Sequence, residues 1–305
     1  MKRDLWNRFY IESKLVKAQV SLTPTESKNL ISKGVLALDL VKSALKDGIV
    51  VIHPSTTTYF LIRDLIGKVP KSIVSGVIIP SGACIAKHTA DMAKKHNVAF
   101  LPEEFRPVVL KNGELQEDVK LGDILKEMGP NDVYIKAGNA IDIERNVGVL
   151  IGSPVGGTIS RAFAVCAAKG VNLILPTGLE KLIPVPIREA VKKAGIQRMD
   201  YSMGMPVGLL PVQGIVVTEI DAIEILTGAI ATPIAAGGIL GAEGSITFVI
   251  EGEREQVVKA VEMIESIKGS KLPEIILSEC LTCGWPTCPF KGKKRNLYSL
   301  PTKGG

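Results

Sequence analysis

The sequence predicts an α/β fold: a doubly wound, mostly parallel, Rossmann-like sheet, then a smaller ferredoxin-like α+β domain and a cysteine-bearing tail. Three observations carry that expectation. Short, unbroken apolar runs alternate with segments of helical spacing over most of the chain, as strands buried on both faces require. Only 5% of the 305 residues are aromatic while 46% are hydrophobic, so the core is built from Val, Ile, Leu and Ala. Past Met203-Gly204-Met205-Pro206 the order of elements changes to β-α-β-β-α-β.

The first clear element opens at Leu22-Thr23-Pro24-Thr25-Glu26. Thr23 can cap a helix, Pro24 suits its first turn, and Glu26 completes a capping box. Leu30, Ile31, Leu36, Leu38, Val41 and Leu45 sustain one helical stripe, which Gly48 ends. Residues 49–52 are a short apolar strand, and Tyr59, Phe60, Ile62, Leu65 and Ile66 recur at helical spacing up to Gly67. A strand over 75–80 and a helix over 90–96 follow. Lys111-Asn112-Gly113-Glu114 between apolar runs signals a hairpin. Then come a helix over 121–128, strands over 133–136 and 147–151, a helix over 158–168 and a strand over 171–175.

Beyond these, the spacing predicts a strand over 215–218, a helix over 220–226, strands over 231–235 and 245–251, a helix over 253–268 and a strand over 274–277. The expected domains are therefore 1–210 (Rossmann-like), 211–277 (ferredoxin-like) and 278–305 (tail). Ferredoxin-like domains often serve regulation and oligomerisation, so a homo-oligomer is expected.

Composition narrows the function classes. The formal charge is +6, and only Lys291-Gly292-Lys293-Lys294-Arg295 concentrates it. A solvated end explains that run, which makes nucleic acid a poor partner and leaves a small anionic metabolite a good one. No secretory signal opens at Met1, and no uncharged apolar run spans a bilayer, so a cytoplasmic protein without a membrane partner is expected. Abundant Lys, Glu, Ile and Val hint at a thermophile, in keeping with an archaeal-like source.

The stretch Val51-Ile52-His53-Pro54-Ser55-Thr56-Thr57-Thr58-Tyr59-Phe60 joins a strand to a helix through four successive hydroxyls. Helix N-termini beyond the carboxyl ends of parallel strands hold anions. One cap needs one hydroxyl, so Ser55, Thr56, Thr57 and Thr58 together suggest a phosphate or carboxylate cradle. A second strand-to-helix joint carries Gly152, Ser153, Gly156, Gly157, Thr158 and Arg161, with glycines for close backbone approach and an arginine for charge. It fits neither a Walker loop nor GxGxxG, and tight helix–sheet packing explains it equally. Lys136, Asn139 and Asp142 follow one strand, and Lys181 follows another. Each alone is explained by a turn; together they suggest one rim.

A helix, a strand ending in a Ser/Thr-rich turn, and then the run from Asn139-Ala-Ile-Asp142 through Gly152-Ser-Pro-Val-Gly-Gly-Thr158 to Pro176-Thr-Gly-Leu-Glu-Lys181 resemble one superfamily. It contains ribose-5-phosphate isomerase, glucosamine-6-phosphate deaminase, CoA transferases and the DeoR-type sugar-sensor domain. The resemblance spans residues 24–185. It implies that Ser55, Thr56 and Thr57 hold phosphate, that 139–142 face the substrate, and that the ferredoxin-like part is a lid. His53-Pro54 stands where those enzymes usually carry glycine, and no counterpart of the isomerases' catalytic acid segment is found.

Cys280-Leu-Thr-Cys283-Gly-Trp-Pro-Thr-Cys288-Pro289 is the densest chemistry in the chain. Cys280, Cys283 and Cys288 at this spacing can fold round zinc or a [4Fe–4S] cluster. The fourth ligand is open: Cys84, Cys166, a His, another subunit or a substrate. The three His are isolated and read as ordinary surface or core residues.

Two functions remain. In the first, an isomerase, transferase or lyase acts on a phosphorylated, acyl or CoA-bearing metabolite, with Asp142, Lys136 or Lys181 moving protons and the cysteine centre assisting. In the second, a non-catalytic sensor binds the same metabolite and its cysteine site reports redox state or metal.

Overall fold

The computed structural model describes residues 15–67, 73–96 and 105–293. Residues 1–6, read above for a signal, and Lys294 and Arg295 of the basic run lie outside these.

The chain begins with β1 (Leu15–Leu22), α1 (Pro24–Ala37), α2 (Asp39–Asp47), β2 (Ile49–Ile52) and α3 (Thr58–Ile66). The capping box forms: Glu26 N–H donates to Thr23 Oγ1 at 3.3 Å and Thr23 N–H to Glu26 Oε2 at 2.9 Å. The single helix expected up to Gly48 is two, because Leu38 is extended (φ −62°, ψ 130°) and turns the chain. Next come β3 (Gly76–Ile79), β4 (Gly82–Ile85), α4 (Lys87–His96), β5 (Val108–Lys111), β6 (Glu114–Gln116), α5 (Leu121–Glu127) and β7 (Val133–Ile135). Asn112 and Gly113, at φ 52° and 81°, make the tight β5–β6 turn. They are followed by β8 (Ala140–Ile141), β9 (Val147–Ile151), α6 (Gly157–Lys169), β10 (Asn172–Pro176), α7 (Ile187–Lys193), β11 (Gly208–Val212), β12 (Ile215–Val217) and α8 (Glu219–Thr227). The last regular elements are β13 (Ile230–Gly237), β14 (Ser245–Glu253) and α9 (Arg254–Ile267). No helix among the described residues is long and apolar enough to cross a membrane.

The fold is mixed α/β around a six-stranded sheet ordered β12-β10-β7-β2-β5-β6. Its first four strands run parallel, and β5 and β6 are antiparallel. Alternate residues serve opposite layers. Val50, Ile52, Val133, Ile135 and Ile174 pack with Ile31, Val41 and Leu61 of α1, α2 and α3. Val51, Tyr134, Leu173 and Leu175 pack with Leu125 of α5 and Ile159 and Ala162 of α6. Burial on both faces is why these strands read as unbroken apolar runs. The parallel strands step in one direction from β2 to β12, so their order does not reverse as it would in a doubly wound sheet.

Two strands expected in the parallel sheet lie elsewhere. β3 pairs with β4, and β9 sits between β8 and β11 in a small antiparallel sheet. The connections β3–β4 and β8–β9 are too short for a parallel crossover, which leaves only antiparallel pairing.

The expected 211–277 unit is not self-contained. β12, its intended first strand, is the edge of the six-stranded sheet. β1 instead pairs antiparallel with β14, from Leu15 opposite Glu253 to Leu22 opposite Ile246, giving the order β1-β14-β13. Leu22, Leu30, Phe248, Ile250, Val257 and Ala260 form the core beneath. Residues 274–277 make only an isolated bridge, Leu277 to Ala86.

α1 joins these two layers, and Gly34 is where it meets α8. A Cβ there would lie 2.7 Å from Ala222 Cβ and 2.8 Å from its Cα. Helix propensity alone favours Ala over Gly by about 1 kcal/mol. The backbone contact outweighs it, so Gly34→Ala is expected to cost about 1–3 kcal/mol, read as a lowered urea midpoint.

Candidate functional site

The carboxyl ends of β2, β7 and β10 open into a cavity of about 1000 Å³. His53, Ser55, Thr56 and Thr57 enter it from the β2–α3 joint, Lys136 and Asn139 from beyond β7, and Lys181 from beyond β10. Gly152, Ser153, Gly156, Gly157 and Thr158 complete this polar end. The rest of the wall includes an apolar part, Val77 and Ile85 of the β3–β4 hairpin with Ile151, Met205, Val207 and Trp285. The two strand-to-helix joints singled out in the sequence thus face one space, together with the Lys136 and Lys181 rim.

The hydroxyl run divides its labour. Thr58 is buried and structural: its Oγ1 donates to the His53 carbonyl at 2.8 Å, and its N–H donates to Ser55 Oγ at 3.1 Å. Thr58 is therefore a clasp at the start of α3, not a cavity group. Ser55, Thr56 and Thr57 remain on the wall, with Thr57 fixed through its carbonyl, which accepts from Ser32 Oγ at 2.8 Å. At the second joint, Gly156 (φ 85°) and Gly157 (φ 65°) hold left-handed conformations that bring the start of α6 against the cavity. Ser153 Oγ is buried there with no hydrogen-bond partner.

His53, read from sequence as an ordinary residue, sits at the centre of the polar end. It is 4% exposed and its ring stacks on Phe105, with centroids 4.7 Å apart. Nε2 lies 2.9 Å from Thr158 Oγ1; Nδ1 lies 3.1 Å from the Pro54 carbonyl and 3.2 Å from Lys136 Nζ. The Pro54 carbonyl can only accept and a charged Lys136 can only donate, so Nδ1 serves one or the other: it donates to Pro54 as Nδ1–H, or it accepts from Lys136 with the ring proton on Nε2. Burial, reinforced by Lys136, holds His53 well below its ordinary range, so the ring stays neutral near pH 7.

Lys136 is strongly perturbed. Burial first, and the charge of Lys181 second, push its ammonium down to about 8, with no carboxylate opposing them. Lys181 is better anchored: its Nζ donates to the Gly138 carbonyl at 3.0 Å and lies 3.4 Å from Thr57 Oγ1. Burial lowers its ammonium too, opposed by Glu180 at 4.0 Å. Behind it Glu180 pairs with Lys28 at 3.0 Å, and burial with the nearby Glu180 charge raises Glu219 to about 7. Leu179 N–H donates to Glu219 at 3.0 Å, fixing the turn that presents Lys181.

Three expected site residues serve otherwise. Asp142 is 2% exposed and points away from the cavity, its carboxylate accepting from the amides of Ile187, Glu144 and Asn146 and from Asn146 Nδ2. Asn139 lines the cavity mouth, but its Oδ1 accepts from Leu150 N–H at 3.0 Å, which ties the turn to β9. Arg161 is exposed on α6 and does not line the cavity. Four positions past Gly157 it lies about 6 Å further along the helix axis than the end that meets the cavity.

The cysteine tail packs against the apolar wall, with Cys283 and Cys288 beside Ile85, Met205 and Trp285. Cys280, Cys283 and Cys288 share a small void of about 20 Å³ with Cys84 of β4. Burial raises the Cys288 thiol, the Phe290 amide opposes it, and the Cys283, Cys280 and Cys84 thiols add to the rise. Cys166 is buried on the core face of α6, away from the others. His53 and Cys84 were the residues sequence reasoning passed over or left open. His53 directly follows a buried strand, the same position that singled out Ser55, and that signal was available. No protein-family model matches this chain, and no curated protein is significantly similar to it.

Proposed function

We propose that the protein is an enzyme acting on an anionic small metabolite with an apolar or acyl body, of the phosphorylated or CoA-bearing kind, as an isomerase, transferase or lyase. One observation carries this reading. Every ionisable residue among the described cavity lining is basic (His53, His88, Arg106, Lys136 and Lys181), and none is acidic. The N-termini of α3 and α6 add partial positive charge at the same end. A negative group placed there is met by Lys181 and the Ser55–Thr57 and Ser153 hydroxyls, while the acyl body occupies the wall of Val77, Ile85 and Met205.

With no carboxylate in the described lining, proton transfer falls to Lys136. An amine titrating near 8 is partly neutral at physiological pH and can take a proton from carbon beside a carbonyl. Neutral His53 would then relay or orient through Thr158. The superfamily resemblance agrees with the position of the hydroxyl turn, and the metabolite-sensor reading shares the binding site without the proton step.

Isothermal titration with coenzyme A and with inorganic pyrophosphate tests the binding half. Both are expected to bind the parent, and Lys181→Gln is expected to weaken them roughly tenfold or more, one charge-assisted hydrogen bond to an anion. Binding by neither probe, or equal binding by the variant, would remove the anion site from the argument. Proton NMR in D2O with acetyl-CoA tests the chemical half: an enzyme exchanges the α-protons, whereas a sensor leaves them in place.

A further inference from the structure

We propose that Cys84 joins Cys280, Cys283 and Cys288 as the fourth thiolate of a soft-metal centre built between the β3–β4 hairpin and the tail. The tail alone offers three thiols, one short of a closed tetrahedral site. The fold supplies the fourth from almost two hundred residues away. The backbone pairing explains how.

Lys87 N–H donates to the Ile276 carbonyl at 3.0 Å and Ser278 N–H to the Ile85 carbonyl at 3.3 Å, around the Ala86–Leu277 bridge. The tail therefore runs antiparallel beside the residues that follow Cys84 and delivers Cys280 next to it. Gly292 N–H then donates to the Cys280 carbonyl at 2.7 Å and Lys291 N–H to the Cys288 carbonyl at 3.2 Å, folding the tail back on itself. All four cysteines line the resulting void, with Lys291 beside them.

Three further features fit a thiolate centre. None of the four is in a disulfide. Trp285 N–H donates to Cys283 Sγ at 3.5 Å, an amide-to-sulfur contact of the kind that tunes metal-bound thiolates. Lys291, in the lining of the same void, would offset part of the negative charge that four thiolates keep after binding a divalent ion. Among the described residues no three His, Cys, Asp or Glu stand as a set that could hold an ion, so the thiols that line the void would have to close in on one. Each cysteine has one side-chain torsion, and rotation about it is the adjustment a metal would demand.

Four thiolates suit a zinc-class ion or an iron–sulfur cluster equally. The centre would brace the main cavity, since Ala83, Ile85 and Met205 line both spaces and Trp285, next but one to Cys283, lines the larger. This inference does not depend on the enzymatic reading.

The test uses full-length protein prepared without oxygen, one portion titrated with Zn²⁺ and another reconstituted with ferrous iron and sulfide. One of the two is expected to load stoichiometrically, iron–sulfur being marked by brown colour and zinc by none. Cys84→Ser is expected to weaken loading by roughly tenfold or more, as much as Cys283→Ser, because loss of a direct ligand exceeds the loss of an outer-shell partner. Cys166→Ser should load like the parent. X-ray absorption at the zinc edge of the parent counts its sulfur ligands, and for a cluster the Mössbauer spectrum of the parent shows whether one iron lacks a thiolate, so misfolding of Cys84→Ser would not hide the answer. For zinc, four sulfurs support the assignment and three overturn it. Failure of both metals to load, or parent-like loading of a folded Cys84→Ser, also overturns it.

Discussion

Lys136→Met is expected to stabilise the fold at pH 7 while abolishing proton transfer. Lys136 titrates near 8 in the folded protein against an ordinary 10.5, because burial and then Lys181 disfavour its charge. Between those values the unfolded chain holds more protons than the folded one, so stability falls as pH drops from 10.5 towards 8. Below 8 the whole cost is present; above 10.5 it is gone. At about 1.4 kcal/mol for each unit the cost has an upper bound near 3 kcal/mol, and partial solvent access reduces it, so a gain of about 1–3 kcal/mol is expected at pH 7. Methionine keeps the length and apolar stem without the ammonium. Urea unfolding at pH 7 and pH 11 should show the gain at the first and little at the second. Proton NMR in D2O with acetyl-CoA should show the α-proton exchange of the parent lost in the variant. A variant less stable than the parent at pH 7 would mean that Lys136 is satisfied where it sits, and its poise for proton transfer would be refuted. Stability held below its maximum at one buried cation is the pattern of a site selected for function.

The carboxyl edge of the sheet was legible because its logic is local. A buried strand followed by polar residues and a helix places those residues on one edge, and Ser55, Thr57, Lys136, Ser153 and Lys181 all arrived there. What the sequence could not show is which way each side chain turns once the chain leaves the strand. Lys136 and Asp142 belong to the same excursion beyond β7, yet one faces the cavity and the other faces the start of α7. His53 gains its meaning only when Thr158 arrives from 105 residues away. β1 was missed for a related reason. Its alternation of exposed and half-buried residues is shallow, and its partner β14 lies more than two hundred residues further on. The β-α-β-β-α-β order was present in the sequence, but order does not decide pairing. β12 found a parallel neighbour in β10, and β14 was left to pair with β1.

Asp142 separates the two kinds of reading most sharply, and Asp142→Ala is expected to cost about 3–5 kcal/mol of stability while leaving the cavity's affinity for pyrophosphate within about twofold of the parent. Its Oδ2 accepts from Ile187 N–H at 2.8 Å, the amide that opens α7, and its Oδ1 accepts from Asn146 N–H at 2.9 Å and Glu144 N–H at 3.0 Å. Removing the carboxylate leaves these donors buried or half-buried without partners, each costing about 1–3 kcal/mol before relaxation. Burial alone would raise the carboxyl; the donated hydrogen bonds from Ile187, Asn146 and Glu144 outweigh it and hold it below the usual range. A carboxyl lowered on folding contributes stability above its unfolded value of 3.8, and that contribution disappears as pH falls through the lower folded value. The parent should therefore lose part of its stability at acid pH that Asp142→Ala never had, and the two unfolding midpoints should converge there. Asp142→Asn would not rescue, because its amide presents an N–H₂ to groups that are themselves donors. An Asp142→Ala protein as stable as the parent but unable to exchange substrate protons would return Asp142 to the chemistry. A carboxylate with its lone pairs already occupied by backbone amides has no proton to give near pH 7 and little basicity with which to take one, and so the proton-transfer role passes to Lys136.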